Sequence, residues 1–126
     1  MRAVLDASAI LALLNGEAGG EVVQSHLSEA LVSVANVVEV GSKLMDGGMT
    51  HEAAWEAMEL LDVDMIDIDV SLASLAMALR RDTRHKGLSL ADRLCLATAI
   101  RAGGTALTAD RAWASLDLPC PIKVIR

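Results

Sequence analysis

Ala3-Val4-Leu5-Asp6-Ala7-Ser8-Ala9-Ile10 begins as an apolar run of strand length, meets a carboxylate, and continues into a stretch with helical character. The run Ala3 to Leu5 predicts a short buried strand, and Ala7 to Leu14 predicts a helix that stops near Asn15-Gly16. Asp6 stands between them, where a hydrophobic core would normally be under construction. Three more acids repeat the irregularity: Glu39 interrupts Val37-Val38-Glu39-Val40, Asp92 sits in Leu90-Ala91-Asp92-Arg93-Leu94-Cys95-Leu96, and Asp110 follows Thr105-Ala106-Leu107-Thr108-Ala109. A buried, unpaired carboxylate is too costly to keep charged, so it is either neutralised or compensated by a cation.

On either side of these acids the chain alternates between short apolar runs and helical periodicity. Gly19 and Gly20 precede a helix over about Glu21 to Ser28, and Leu31 to Ser33 reads as a brief strand. Asn36 to Met45 reads as a helix with Val37, Val40 and Leu44 facing inward, closed by Gly47-Gly48. Thr50 caps a helix running to about Leu61, Val63 to Ile68 alternates as a strand, and Ser71 to Arg81 returns to helix. Ser89 caps a helix that continues to Arg101 and stops at Gly103-Gly104. Thr105 to Thr108 is a strand, Arg111 to Ser115 a short helix, and Ile122 to Ile125 a last strand. This order predicts a single domain over residues 1–126, an α/β fold of three layers with a mostly parallel central sheet flanked by helices. In such folds, polar residues just beyond strand C-termini gather at a common rim, and Asp6 and Asp110 hold positions of that kind.

Composition excludes several function classes. Of 126 residues, 53% are hydrophobic and 22% charged, which supports a real core and argues against disorder. The longest apolar stretches, Ala9 to Leu14 and Ala30 to Val38, fall far short of the roughly 20 residues that span a bilayer, so no membrane role is expected. No secretory leader is visible, and the expected location is cytoplasmic. Cys95 and Cys120 form neither a disulfide framework nor a ligand motif and read as ordinary thiols. A formal charge of −6, no Phe or Tyr, and only Trp55 and Trp113 exclude binding of nucleic acid through bulk charge or a base-stacking platform. A local basic cluster survives this balance: Arg80, Arg81, Arg84, His85 and Lys86, with Arg93 nearby. It is either a phosphate-facing patch or a solvated helix end.

The acids carry the chemistry. Asp92 falls one turn after Ser89 and Glu39 three residues after Asn36, so each helix can direct its carboxylate toward the strand rim. Carboxylates converging from separate elements repel one another, and a divalent cation is the natural compensation. The donor set of Asp6, Glu39, Asp92 and Asp110 is all oxygen, while His26, His51 and His85 are scattered; Mg2+, or Mn2+, is therefore expected in place of zinc. Such ions promote attack by water on a phosphodiester. Each acid also has a plainer role open to it: Asp6 and Asp110 can cap the helices that follow, Asp92 can be a solvated first-turn acid, and Glu39 a partly exposed helix residue. Ser8 and Thr108 can orient a neighbouring carboxylate or merely satisfy backbone, and Asn36 can meet substrate, hold Glu39 or cap the third helix. Arg93 and Arg111 are suited to touching phosphate or neutralising a surface. Met45, Met49, Met58, Met65 and Met77 read as packing residues.

Val4-Leu5-Asp6-Ala7-Ser8, Asn36-Val37-Val38-Glu39, Ser89-Leu90-Ala91-Asp92-Arg93 and Leu107-Thr108-Ala109-Asp110-Arg111 together resemble a PIN domain, specifically the VapC-like ribonuclease toxins of bacterial toxin–antitoxin pairs. Each motif is short, but the ordered set covers nearly the whole chain. The resemblance implies that Asp6, Glu39, Asp92 and Asp110 are catalytic and hold the metal. It implies metal-dependent endonucleolytic cleavage of RNA, often a structured RNA such as tRNA; Arg80, Arg81, Arg84, Lys86, Arg93 and Arg111 are the candidate phosphate contacts. It further implies a homodimer and a cognate antitoxin whose C-terminal segment enters or covers the acidic groove. Two other readings stand beside it: a DNA- or structure-selective nuclease using the same metals, and a non-catalytic groove that binds cations or protein. A phosphoaspartate receiver fits poorly, because Asp6-Ala7-Ser8 lacks a second nearby acid.

Overall fold

A computed structural model of the chain describes residues 2–126. Strands β1 (Ala3–Leu5), β2 (Leu31–Ser33), β3 (Asp64–Ile66), β4 (Thr105–Thr108) and β5 (Ile122–Val124) form one sheet in the order β3-β2-β1-β4-β5, with every pairing parallel. Seven α-helices are found among the described residues: α1 (Ala7–Leu14), α2 (Gly20–His26), α3 (Val34–Asp46), α4 (His51–Leu60), α5 (Val70–Ala78), α6 (Arg80–Thr83) and α7 (Leu90–Ala102). The expected three-layer α/β domain is present, and its sheet is wholly parallel among the described strands.

Burial on both faces explains why the inner strands β1, β2 and β4 carry no polar alternation, whereas the edge strand β3 exposes Asp64 and β5 exposes Lys123. Along β1, Ala3 and Leu5 join a core with Ile10, Val23, Val40, Met58 and Leu107, while Val4 joins the opposite core with Leu31, Leu72, Leu96, Ala106 and Trp113. Register follows from these faces: Val4 pairs with Ala106 and Leu5 with Leu107. Two glycines make the close approach of α7 and β4 to β1 feasible. Gly103 ends α7 in the left-handed region (φ 65°), and a Cβ at Gly104 would collide with the carbonyl oxygen of Arg2.

Several expected boundaries shift, for local reasons. Ser33, the last residue of β2, also caps α3, its side chain accepting from the Ala35 N–H at 3.3 Å. The helix therefore starts two residues before Asn36, and Asn36 is buried inside it and does not cap it. The helix expected over Ser71 to Arg81 is two helices, α5 and α6; the Asp82 N–H donates to the Leu79 carbonyl, a tightened three-residue step at the junction. Of the methionines expected to pack, Met58 is buried, but Met45, Met49 and Met77 are exposed.

The strand order places the chemistry. Connections run outward from β1 to β2 and β3, then return to β4 and β5 on the other side of β1. This leaves a crevice past the C-terminal ends of β1 and β4, the switch point at which open parallel sheets present their polar groups. Asp6 follows β1 directly, and Ala109-Asp110 follow β4.

Candidate functional site

Asp6 is only 3% exposed. Its Oδ1 accepts from the Ser8 hydroxyl at 2.7 Å and from the Ala9 N–H at 2.8 Å, while Oδ2 accepts from the Thr108 hydroxyl at 2.6 Å. Both hydroxyls are themselves held from β4's far end: the Ala109 N–H donates to Ser8 Oγ at 2.8 Å, and the Asp110 N–H to Thr108 Oγ1 at 3.0 Å. Ser8 and Thr108 thus bind the two strand ends together around one carboxylate. Burial raises the Asp6 carboxyl from 3.8 to about 6; the Thr108, Ala9 and Ser8 bonds pull it back, and the charge of Asp92 pushes it up further. Desolvation outweighs three hydrogen bonds, so the protein leaves this anion under-compensated near neutral pH.

Asp92 sits at the third position of α7 in a reciprocal capping box. Its Oδ2 accepts from the Ser89 N–H at 2.9 Å, and Ser89 Oγ accepts from the Asp92 N–H at 3.1 Å. Asp110 is exposed and caps the 3-10 turn Arg111–Ser115 through the Ala112 N–H at 2.9 Å. Glu39 is half-buried in the second turn of α3. Capping by Asp6, Asp92 and Asp110 is therefore real, and it leaves oxygen lone pairs on each carboxylate free.

Cys95 is fully buried one turn beyond Asp92, and its thiol is pushed up first by burial and then by Asp6, Asp92, Cys120 and Glu39, so these acids lie within electrostatic reach of one buried point. Asp110 joins the group through Thr108, which bridges its backbone to Asp6. Among the described residues, no three His, Cys, Asp or Glu side chains already close on one point as a metal-binding group. The donor chemistry nonetheless fits a hard divalent cation: carboxylates only, one of them buried and under-compensated, another at a helix N-terminus with one oxygen uncommitted. Cys95 is a free, buried thiol, in keeping with its reading as an ordinary cysteine.

The basic residues divide into two groups. Arg80, Arg81, Arg84, His85 and Lys86 are exposed on α6 and the 3-10 turn after it, immediately before the Ser89–Asp92 cap. Arg93 is only partly exposed and donates from Nη1 to the Ala76 carbonyl at 3.1 Å, tying α7 to α5. The Nε of Arg111 donates to the Arg126 carbonyl at 3.2 Å. Apolar exposure is concentrated on two faces. One is a cleft of about 220 Å³ between α3 and α4, lined by Val37, Val38, Met45, Ala54, Trp55 and Met58. The other combines Val70 and Met77 of α5 with Ile68 and Leu90. On α2, Val23 is buried in the core.

The PIN domain family profile matches residues 3–118. The chain belongs to the PIN domain family. No curated protein matches it closely enough to count as a relative. Among solved structures, this PIN domain is similar to VapBC2 from Rickettsia felis bound to a promoter DNA fragment, with TM-score 0.74 and 15% identity over 98% of each chain. It is similar to a toxin–antitoxin complex from Klebsiella pneumoniae, with TM-score 0.70 and 22% identity over 95% of this chain and 99% of that one. It is also similar to VapC20 from Mycobacterium tuberculosis, a sarcin-ricin loop cleaving toxin, with TM-score 0.68 and 17% identity over 91% and 96%. No helix among the described residues is long and apolar enough to cross a membrane.

Proposed function

We propose that this PIN domain is a divalent-cation-dependent endoribonuclease, the toxin of a toxin–antitoxin pair. The observation that carries the reading is Asp6: a buried, under-compensated carboxylate at the switch point, in the electrostatic reach of Asp92. Asp6, Glu39, Asp92 and Asp110 would hold Mg2+ or Mn2+, which supplies charge stabilisation at the scissile phosphate and a more nucleophilic water. Ser8 and Thr108 fix the Asp6 carboxylate so that little reorganisation is needed when substrate arrives. The exposed cations of α6 and Arg84–Lys86 lie on the chain segment leading into Asp92 and offer phosphate contacts. With so few aromatic side chains, recognition of RNA shape and backbone is favoured over base stacking.

The structural likeness to toxin–antitoxin complexes supports an antitoxin partner. The apolar cleft between α3 and α4, lined by Val37, Val38, Met45 and Trp55, offers an apolar surface on which such a partner could seat a segment. The exposed α5 face supports a homodimer; sedimentation showing only monomer across a wide concentration range would remove that part of the proposal. The decisive experiment incubates purified protein with total RNA and with an all-deoxy counterpart, in Mg2+ or Mn2+ against chelator, and maps the product ends. RNA cleavage dependent on the metal, and lost in both Asp6→Asn and Asp92→Asn, is expected. Comparable DNA cleavage would favour a DNA-directed nuclease, and binding without cleavage a non-catalytic groove.

A further inference from the structure

Among the described residues, Asn36 is the one fully buried side chain whose polar ends are both left without a partner: neither Nδ2 nor Oδ1 makes a hydrogen bond, and the residue is 0% exposed. A buried carboxamide with both ends unpaired is strongly disfavoured unless something else engages it. Ser33 already caps α3, so no capping duty explains Asn36. Its place on the helix does. With about 100° per residue, Val37, Val40 and Leu44 lie to one side of Asn36, and Ala35 and Glu39 to the other. The first group belongs to the core containing α1, whereas Ala35 packs against the core containing α7. Helix α3 packs on both α1 and α7. Asn36 therefore faces the seam between the two cores, one turn before Glu39 on the same flank. Asp6 at the start of α1 and Asp92 at the start of α7 close that seam from either side, and Cys95 of α7 feels the charges of all three acids.

We infer that Asn36 is a positioning residue of the cation centre, its Nδ2 directing the Glu39 carboxylate and its Oδ1 accepting from the hydration shell of a bound Mg2+. Mg2+ retains several of its waters when protein-bound, so an uncharged acceptor has a role that a fifth carboxylate would fill only with added repulsion. A carboxamide offers a donor and an acceptor from one rigid group. The inference rests on the metal-centre reading above. It differs from a purely structural role in one respect: a core amide with nothing to bind is dispensable, and an apolar group of similar shape would serve the fold as well or better.

Calorimetric titration of Mg2+ into wild type and Asn36→Leu, beside thermal unfolding in chelator, separates the two. The expected result is a variant at least as stable as wild type without metal that binds Mg2+ roughly 10-fold or more weakly, the loss typical when a group supporting a ligand is removed. The wild-type protein provides a second readout should the variant fold poorly. Asn15, Asn36 and Gln24 are its only side-chain carboxamides, so their NH2 signals are readily resolved by nitrogen-edited NMR. The Asn36 pair is expected to move with the Mg2+ binding curve while Asn15 and Gln24 stay still. An unmoved Asn36 pair, or unchanged affinity in a folded Asn36→Leu, overturns this inference and leaves the metal centre intact. Wild type that binds neither Mg2+ nor Mn2+ overturns both.

Discussion

Asp6 and Asp110 each follow a parallel strand at the same rim, and each accepts a backbone N–H from the turn that follows. One is 3% exposed and ringed by two hydroxyls and an amide; the other is open to solvent and holds one N–H. The same residue type, in matching topological positions, meets opposite electrostatic conditions. At Asp110 water can carry most of the solvation, so the charge there does not by itself call for a cation. At Asp6 burial raises the carboxyl to about 6 in spite of its donors, and capping alone does not account for placing a charge there. An acid that water cannot reach needs a cation more than an acid at the edge does.

The largest expected effect is on catalysis. Asp6→Asn should lower RNA cleavage by on the order of 10³-fold, the scale of losing a preorganised charge-stabilising group, whereas Asp110→Asn should cost about 10-fold to 100-fold. Equal losses in a quantitative cleavage assay would erase the distinction between the two strand ends.

Stability should depend on pH through Asp6. For Asp6 the gap between 3.8 and about 6 corresponds to about 3 kcal/mol of preference for the protonated form in the fold. Because the folded state binds that proton more tightly than the unfolded chain, the stabilisation is complete below pH 3.8 and is lost as pH rises through 6. In chelator, wild type should therefore fall behind Asp6→Asn in Tm as pH climbs from 4 to 7.5. Thermal melts across that pH range check this.

The hydroxyl clamp sharpens the contrast at a smaller scale. Thr108 is fully buried and joins Asp6 to the Asp110 backbone, so Thr108→Val should destabilise by about 1–3 kcal/mol. Ser8 is less buried, and Ser8→Ala should cost nearer 1 kcal/mol. Denaturant unfolding at fixed pH measures both, and a costlier Ser8→Ala would reverse the order. Smallest of all, Arg81→Ala or Arg84→Ala should weaken RNA binding by lowering the salt slope by about 1 each, with no change in product ends. Arg93→Ala should act mainly through stability, since its guanidinium already holds the Ala76 carbonyl.

Much of the fold could be read from local punctuation. The bounds of α1 follow from Asp6 before it and Asn15-Gly16 after it, and those of α7 from Ser89 and Gly103-Gly104. The start of α3 was harder to read, because Ser33 serves as both the end of β2 and the helix cap while Asn36 has the same capping chemistry. In α5, Val70-Ser71-Leu72-Ala73-Ser74-Leu75-Ala76-Met77-Ala78 has little polar contrast, so nothing in its pattern showed that Met77 faces out and Leu72 in. Strand order was beyond local reading altogether, since pairings such as Val4 with Ala106 join residues far apart in the chain. The acids could be picked out singly because each breaks an apolar pattern. Which of them is buried, and which come within electrostatic reach of one another, depends on how β1, α3 and α7 meet.

The central claim is that the buried Asp6 carboxylate is the heart of a cation site. Its most direct test is Mg2+-dependent stabilisation at pH 7.5, read as the Tm of wild type and Asp6→Asn with Mg2+ and with chelator. Mg2+ is expected to raise the Tm of wild type and leave that of Asp6→Asn unchanged. Equal Mg2+ stabilisation of the two proteins, or none in wild type, would contradict it.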